Sequence, residues 1–172
     1  MQSRKTYDGD WRAMNKSVLD AGPIIHLNQI EQLELLEIID NRYTTQKVAE
    51  EVGKEIIEDS GAEINGLSGE AKDESKYLSN KYNLELGEST ALALCKQENI
   101  KLLLTDDLEA RSTAKKLEIE PHGTVGIAVK AYSTGKIGRE KAVKTIEGLN
   151  KESSLFITSD LVRWAKNHIR NH

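Results

Sequence analysis

Apolar residues fall along this chain in two alternating kinds of run. Short continuous runs, Ser17-Val18-Leu19-Asp20 and Ile100 to Thr105, are the kind found in strands buried on both faces of a parallel sheet. Arg42-Tyr43-Thr44-Thr45 reads as a further strand, and a short one begins at Ile119 and is ended by Pro121 and Gly123. Between them the apolar positions take helical spacing. Ile24, Leu27, Ile30, Leu33 and Leu36 predict a helix over residues 24–36. Val48, Val52 and Ile56 predict another, capped by Thr45. Residues 59–83 are interrupted by Ser60-Gly61, Asn65-Gly66 and Ser68-Gly69; here only a polar helix from Glu70 to Lys81 is expected, with Tyr77, Leu78 and Tyr82 facing inward. Helices are also predicted over Leu86–Gln97, Leu108–Leu117, Val125–Tyr132 and Arg139–Leu149. Phe156-Ile157 reads as a small strand or a packed turn, and Ser159 or Asp160 as the cap of a last helix carrying Leu161, Val162 and Trp164.

Strands that alternate with helices require crossovers, and crossovers place helices on both faces of a sheet. The expected fold is therefore α/β, a three-layer α/β/α sandwich around a central, mostly parallel sheet. A chain of 172 residues suits one domain with a proper core. Residues 1–14 are polar, with Asp8-Gly9-Asp10 as a turn signal, and are read as a flexible N-terminal extension; residues 15–172 are read as a single domain.

Composition removes several functions. No apolar run reaches the length of a membrane span, and no cationic start leads into an apolar stretch, so a cytoplasmic protein without membrane contact is expected. Cys95 is the single cysteine, which excludes an internal disulfide and a cysteine-based zinc site; its apolar neighbours point to a buried thiol. A formal net charge of −4 does not announce a nucleic-acid binder. Local basic clusters exist at Arg111, Lys115 and Lys116, at Arg139, Lys141 and Lys144, and at Arg163, Lys166 and Arg170; each reads more simply as a solvated helix face.

The candidate chemistry lies in carboxylates beside apolar runs, where burial is costly unless the charge is paired or bound to metal. Asp20 ends the first strand, and Asp106 and Asp107 follow the strand through Thr105. In open parallel sheets, functional groups gather beyond the carboxyl ends of the strands. If these two strands are neighbours, their acids converge. Helical phase selects Glu51 over Glu50: at about 100° per residue, Glu51 lies about 60° from Val48 and Glu50 about 160°. Glu88 shares a face with Ala91, Leu92 and Cys95, although an acid in a first turn also suits the helix dipole. One of Asp106 and Asp107 is expected to cap the next helix. Thr105 is read as orienting an attacking water, His26 as a hydrogen-bonded core residue, and Gly123-Thr124-Val125-Gly126 as a strand-to-helix turn rather than a phosphate cradle. Oxygen donors with no cysteine and little histidine favour Mg²⁺ or Mn²⁺ over Zn²⁺.

In these pieces, Val18-Leu19-Asp20-Ala21-Gly22-Pro23, Val48-Ala49-Glu50-Glu51-Val52, Gly87-Glu88-Ser89-Thr90-Ala91, Leu104-Thr105-Asp106-Asp107 with Ala110-Arg111, and Gly123-Thr124-Val125-Gly126, the chain resembles PIN-domain proteins, close to VapC-like toxins and their prokaryotic relatives. The likeness covers about residues 15–165 and implies a PIN-like fold. It also implies a divalent-metal-dependent endoribonuclease, with Asp20, Glu51, Glu88 and Asp107 as catalytic ligands of Mg²⁺ or Mn²⁺ and Asp106 as an additional acid of the metal site. RNA as substrate, a homodimer and, for a toxin, a small antitoxin protein are further implications. The alternative expectation is a nucleic-acid- or protein-binding module that keeps the fold with little or no catalysis.

Overall fold

The computed structural model describes residues 15–172; the expected N-terminal extension lies outside them. Five strands form one wholly parallel sheet: β1 (Lys16–Leu19), β2 (Asn41–Thr44), β3 (Glu63–Ile64), β4 (Leu102–Leu104) and β5 (Glu120–His122). Their spatial order is β3-β2-β1-β4-β5. From β1 the chain builds outward to β2 and β3, then returns to the other side of β1 for β4 and β5. The order reverses between β1 and β4, the place where an open α/β sheet forms its crevice.

The helices are α1 (Ala21–Gln29), α2 (Gln46–Val52), α3 (Lys54–Ser60), α4 (Gly69–Tyr82), α5 (Leu86–Glu98), α6 (Leu108–Lys116), α7 (Thr124–Ser133), α8 (Arg139–Lys151) and α9 (Ser159–Asn171), with a 3₁₀ helix over Leu33–Ile38. Strand residues alternate between two cores. Leu19, Leu102 and Leu104 pack with Ile24, Leu27, Val48, Ile127 and Ile146 on one face. Val18 and Leu103 pack with Leu78, Leu92, Leu94 and Ala114 on the other. Helices on both faces of a parallel sheet make the expected three-layer sandwich. Pro121 sits in β5, an edge strand, where a missing N–H is tolerated.

Several local expectations are corrected. The helix expected over 24–36 stops at Gln29; Glu31 adopts a left-handed φ of 56° and a 3₁₀ helix follows. The apolar spacing there is three throughout, which fits three residues per turn rather than 3.6. The stripe Val48, Val52, Ile56 is not one helix either: Gly53, at φ 105°, separates α2 from α3. The breaker-rich stretch contains β3, which pairs with β2 through Tyr43–Glu63 and Thr44–Ile64. Both β3 residues are exposed, so no buried apolar pattern marks them. In α4, Leu78 is buried and Tyr82 partly so, but Tyr77 faces solvent with Lys81 over its ring. Phe156 and Ile157 form no strand, and Thr158 caps α9, accepting from the Leu161 N–H at 3.2 Å.

Gly53 offers a direct test of the break. An L residue in its conformation is strained, so Gly53→Ala is expected to lower stability by about 1–2 kcal/mol in denaturant unfolding, although a methyl there meets no atom within 4 Å. An unchanged midpoint would mean that the hinge does not need glycine.

Candidate active site

The β1–β4 register pairs Val18 with Leu103 and Leu19 with Leu104, so Asp20 and Thr105 leave the sheet side by side. The Asp20 N–H continues the ladder to Leu104 O at 2.9 Å. The Asp20 residue is only 5 % exposed. Oδ1 accepts from the Ala21 N–H at 2.8 Å, capping α1, and Oδ2 accepts from the Thr105 hydroxyl at 2.7 Å. The fully buried Thr105 Oγ1 in turn accepts from the Asp107 N–H at 3.2 Å. Thr105 therefore orients a carboxylate and the turn of the next acid, a more definite arrangement than the water-orienting role expected of it.

These groups open into a cleft of about 600 Å³ lined by Asp20, His26, Glu51, Glu88, Asp106 and Asp107, among others. Glu51 reaches it from the last turn of α2. A Cβ at Gly87 would stand 3.1 Å from Glu51 Oε2 and 3.8 Å from Asp20 Oδ1, so a glycine at the start of α5 lets the two acids approach. Glu50, on the other face of α2, pairs with Lys47 at 3.6 Å instead. Glu88 lines the cleft and also serves its own helix: Oε2 accepts from the Glu85 N–H at 3.0 Å. Asp107 caps α6 through Oδ1, which accepts from the Ala110 N–H at 2.8 Å; Oδ2 makes no hydrogen bond among the described residues.

Asp106 is used differently. Its Oδ1 accepts from the Thr124 N–H at 2.7 Å, while Oδ2 accepts from the Thr124 hydroxyl at 2.5 Å and meets His26 Nδ1 at 2.7 Å. Both oxygens are thereby committed, tying the β4 loop to α1 and to the first residue of α7. The glycine-led turn at 123–126 thus has its anion supplied by the chain itself. His26 is hydrogen-bonded as expected, but at the wall of the cleft rather than in the core.

Electrostatics mark the same place. Burial pushes the Asp20 carboxyl up to about 6, against the lowering by its hydrogen bonds from Thr105 and Ala21; repulsion from Glu51 and Asp107 adds to the rise. Burial, with repulsion from Asp107 and Asp20, pushes Glu88 up to about 7 although the Glu85 N–H opposes it. At rest the acids stand apart: among the described residues no three Asp, Glu, His or Cys groups are gathered closely enough to hold a metal ion. Their chemistry nevertheless fits a hard divalent cation, since the donors are all oxygens and a cation between them would offset the burial and the repulsion that raise Asp20 and Glu88.

The apolar part of the lining was not foreseen. Leu108, Leu155, Phe156, Ile157 and Leu161 make it up, and Arg111 lines the same cleft. Leu108 follows Asp107 directly at the start of a helix, and that adjacency of an apolar residue to the acid pair was the available signal. The basic cluster containing Arg111 divides: Arg111 faces the cleft, whereas Lys116 lies over the Tyr82 ring. Cys95 is buried, which raises its thiol, and no helix among the described residues is long and apolar enough to cross a membrane.

A family model described as a PIN domain matches residues 16–170. No curated protein and no solved structure matches the chain.

The raised Asp20 carboxyl predicts a pH-dependent cost. With a folded value of about 6 against 3.8 ordinarily, the native state holds more protons between those values, and stability falls as pH rises through that window. Asp20→Asn removes the titration. In metal-free buffer the variant should gain on the wild type from a pH of about 4 to about 6, by roughly 2–3 kcal/mol, and hold that lead above it. Parallel stability curves for the two proteins would refute the assignment.

Proposed function

The chain belongs to the PIN-domain family, and from that premise we propose that it is a divalent-metal-dependent endoribonuclease hydrolysing RNA phosphodiester bonds. The fold is of the nuclease type. The observation that carries the finer reading is the buried Asp20 at the sheet's reversal point, with Glu51, Glu88 and Asp107 around the same cleft.

In this reading Asp20, Glu51, Glu88 and Asp107 hold Mg²⁺ or Mn²⁺. When bound, the ion supplies charge neutralisation at the scissile phosphate and activation of water at neutral pH. The protein's part is positioning. Thr105 fixes one oxygen of Asp20, and the Ala21 N–H fixes the other. Asp107 is held by its cap and by the Thr105 hydroxyl, which orients Oδ2 independently of substrate. Asp106, with both oxygens engaged, braces the loop that carries Asp107 and is proposed as a positioning residue rather than a ligand. Glu88 must share or give up its bond to Glu85 when a cation arrives. Arg111 is the cationic side chain lining the cleft and suits a non-bridging phosphate oxygen.

In its finest form the proposal is a VapC-like enzyme of the cytoplasm, a homodimer restrained by a small antitoxin protein; its support is the resemblance of the quoted motifs. The second reading, a binding module with little catalysis, is favoured by the separation of the acids and the engagement of Glu88 with Glu85.

Cleavage of RNA by the purified chain with Mg²⁺ or Mn²⁺ decides between them. Asp20→Asn should retain the fold and lose roughly a thousandfold in rate, as the loss of several kcal/mol of charge stabilisation implies. Asp107→Asn keeps a good capping residue but loses charge, and should fall comparably. Wild-type rates in either variant would reject the mechanism.

Within α2, Glu51→Gln should depress cleavage strongly, while Glu50→Gln, which removes only a surface ion pair, should leave it within about twofold of wild type. Equal effects would place the ligand elsewhere.

A further inference from the structure

The lining of the cleft is of two kinds. One is the set of carboxylates. The other is apolar: Leu155, Phe156 and Ile157 from the segment between α8 and α9, Leu161 from the first turn of α9, and Leu108 from the start of α6. Phe156 is the single phenylalanine of the chain, and it is 88 % exposed. Leu108 is 75 % exposed. Leu155 and Ile157, on either side of Phe156, pack against the core, so the segment is anchored while the ring between them points outward. Ser154 is also fixed, its N–H donating to Gln29 Oε1 at 2.7 Å. A firmly held backbone that presents an aromatic ring to solvent beside a charged cleft matches an amphipathic ligand.

We propose that Phe156 is a stacking platform for an unpaired nucleobase next to the scissile phosphate, with Leu108 flanking the base and Arg111 receiving the phosphate. The inference rests on the nuclease reading and names the form of its substrate: a single-stranded stretch whose base is free to leave its neighbours. A nucleotide has an anionic side for the carboxylates with their cation and a flat apolar face for the apolar lining. Stacking tolerates any base, because each has a π-face. A base held in a duplex cannot reach the ring without unpairing. Phe156 therefore selects for RNA structure and leaves base identity open.

The test uses the full chain with Asp20→Asn added to prevent cleavage, and an unpaired oligoribonucleotide carrying 2-aminopurine beside the cleavage site of the wild-type enzyme. Should the wild type cut no RNA, the nuclease reading fails by itself, and the binding assay proceeds with the probe base placed at each position in turn. The expected result is fluorescence quenching on binding that survives in Phe156→Tyr and Phe156→Trp. Phe156→Ala and Phe156→Leu should lose the quenching and weaken affinity by about ten- to a hundredfold. The paired form of the same oligonucleotide should bind weakly to all variants. In the cleaving enzyme, Phe156→Ala should raise KM more than it lowers kcat. Equal binding by Phe156→Ala and the parent overturns the proposal. So does full retention by Phe156→Leu, which would mean apolar contact without stacking, as expected of a surface for a protein partner. Undiminished binding of the duplex also overturns it. Because the ring is exposed, its removal leaves the core intact, and a folded spectrum for each variant verifies this.

Discussion

The whole site depends on one alignment: β1 and β4 lie side by side in a register that ends them together. Asp20 and Thr105 are what follow the last paired residues, Leu19 and Leu104. Because both strands are buried on both faces, neither can slip by one residue without turning its apolar set to the wrong core. The geometry between the Asp20 carboxylate and the Thr105 hydroxyl is therefore held by the packing of Val18, Leu19, Leu103 and Leu104 rather than by the hydrogen bond alone. The bond at 2.7 Å is a consequence of the register.

A second device holds the loop beyond β4. Two consecutive acids leave that strand, and they face different tasks. Asp106 turns back to His26 and Thr124, joining α1 and α7 to the loop. Asp107 turns toward the cleft with one oxygen in its helix cap. An acidic pair is thus divided into a brace and an acid that lines the cleft. Isolated in sequence, the two are equivalent; the distinction comes from the partners that α1 and α7 bring to Asp106.

Much of this was legible in the chain because it depends on patterns that burial enforces. The continuous apolar runs at Val18-Leu19 and Leu102-Leu103-Leu104 marked a parallel sheet, and helical phase separated Glu51, at the cleft, from Glu50, paired with Lys47. What was not legible depends on contacts without a period. The two residues of β3 are exposed and held by backbone bonds to β2, so no side-chain pattern announces them. The division of one stripe into α2 and α3 turns on Gly53 at φ 105°, a backbone turn that no side-chain period announces. Phe156-Ile157 reads in sequence as a small strand or a packed turn, and neither marks a ring turned to solvent. Its exposure follows from Leu155 and Ile157 taking the inward positions on either side.

The cleft also shows why its acids stand apart. A chain that folded them into contact would carry several like charges at short range in a partly buried place, at a cost of several kcal/mol. The structure avoids most of that cost. Glu51 stays exposed, Glu88 turns to the Glu85 N–H, and Asp107 turns to the Ala110 N–H. Asp20, held at the strand end, is buried, and its two hydrogen bonds offset the cost of that burial only in part. On the proposed reading, Asp20 and Asp107 are held in place by their hydrogen bonds, and Glu51 and Glu88 are the side chains left to turn toward a cation that would offset the repulsion between the acids.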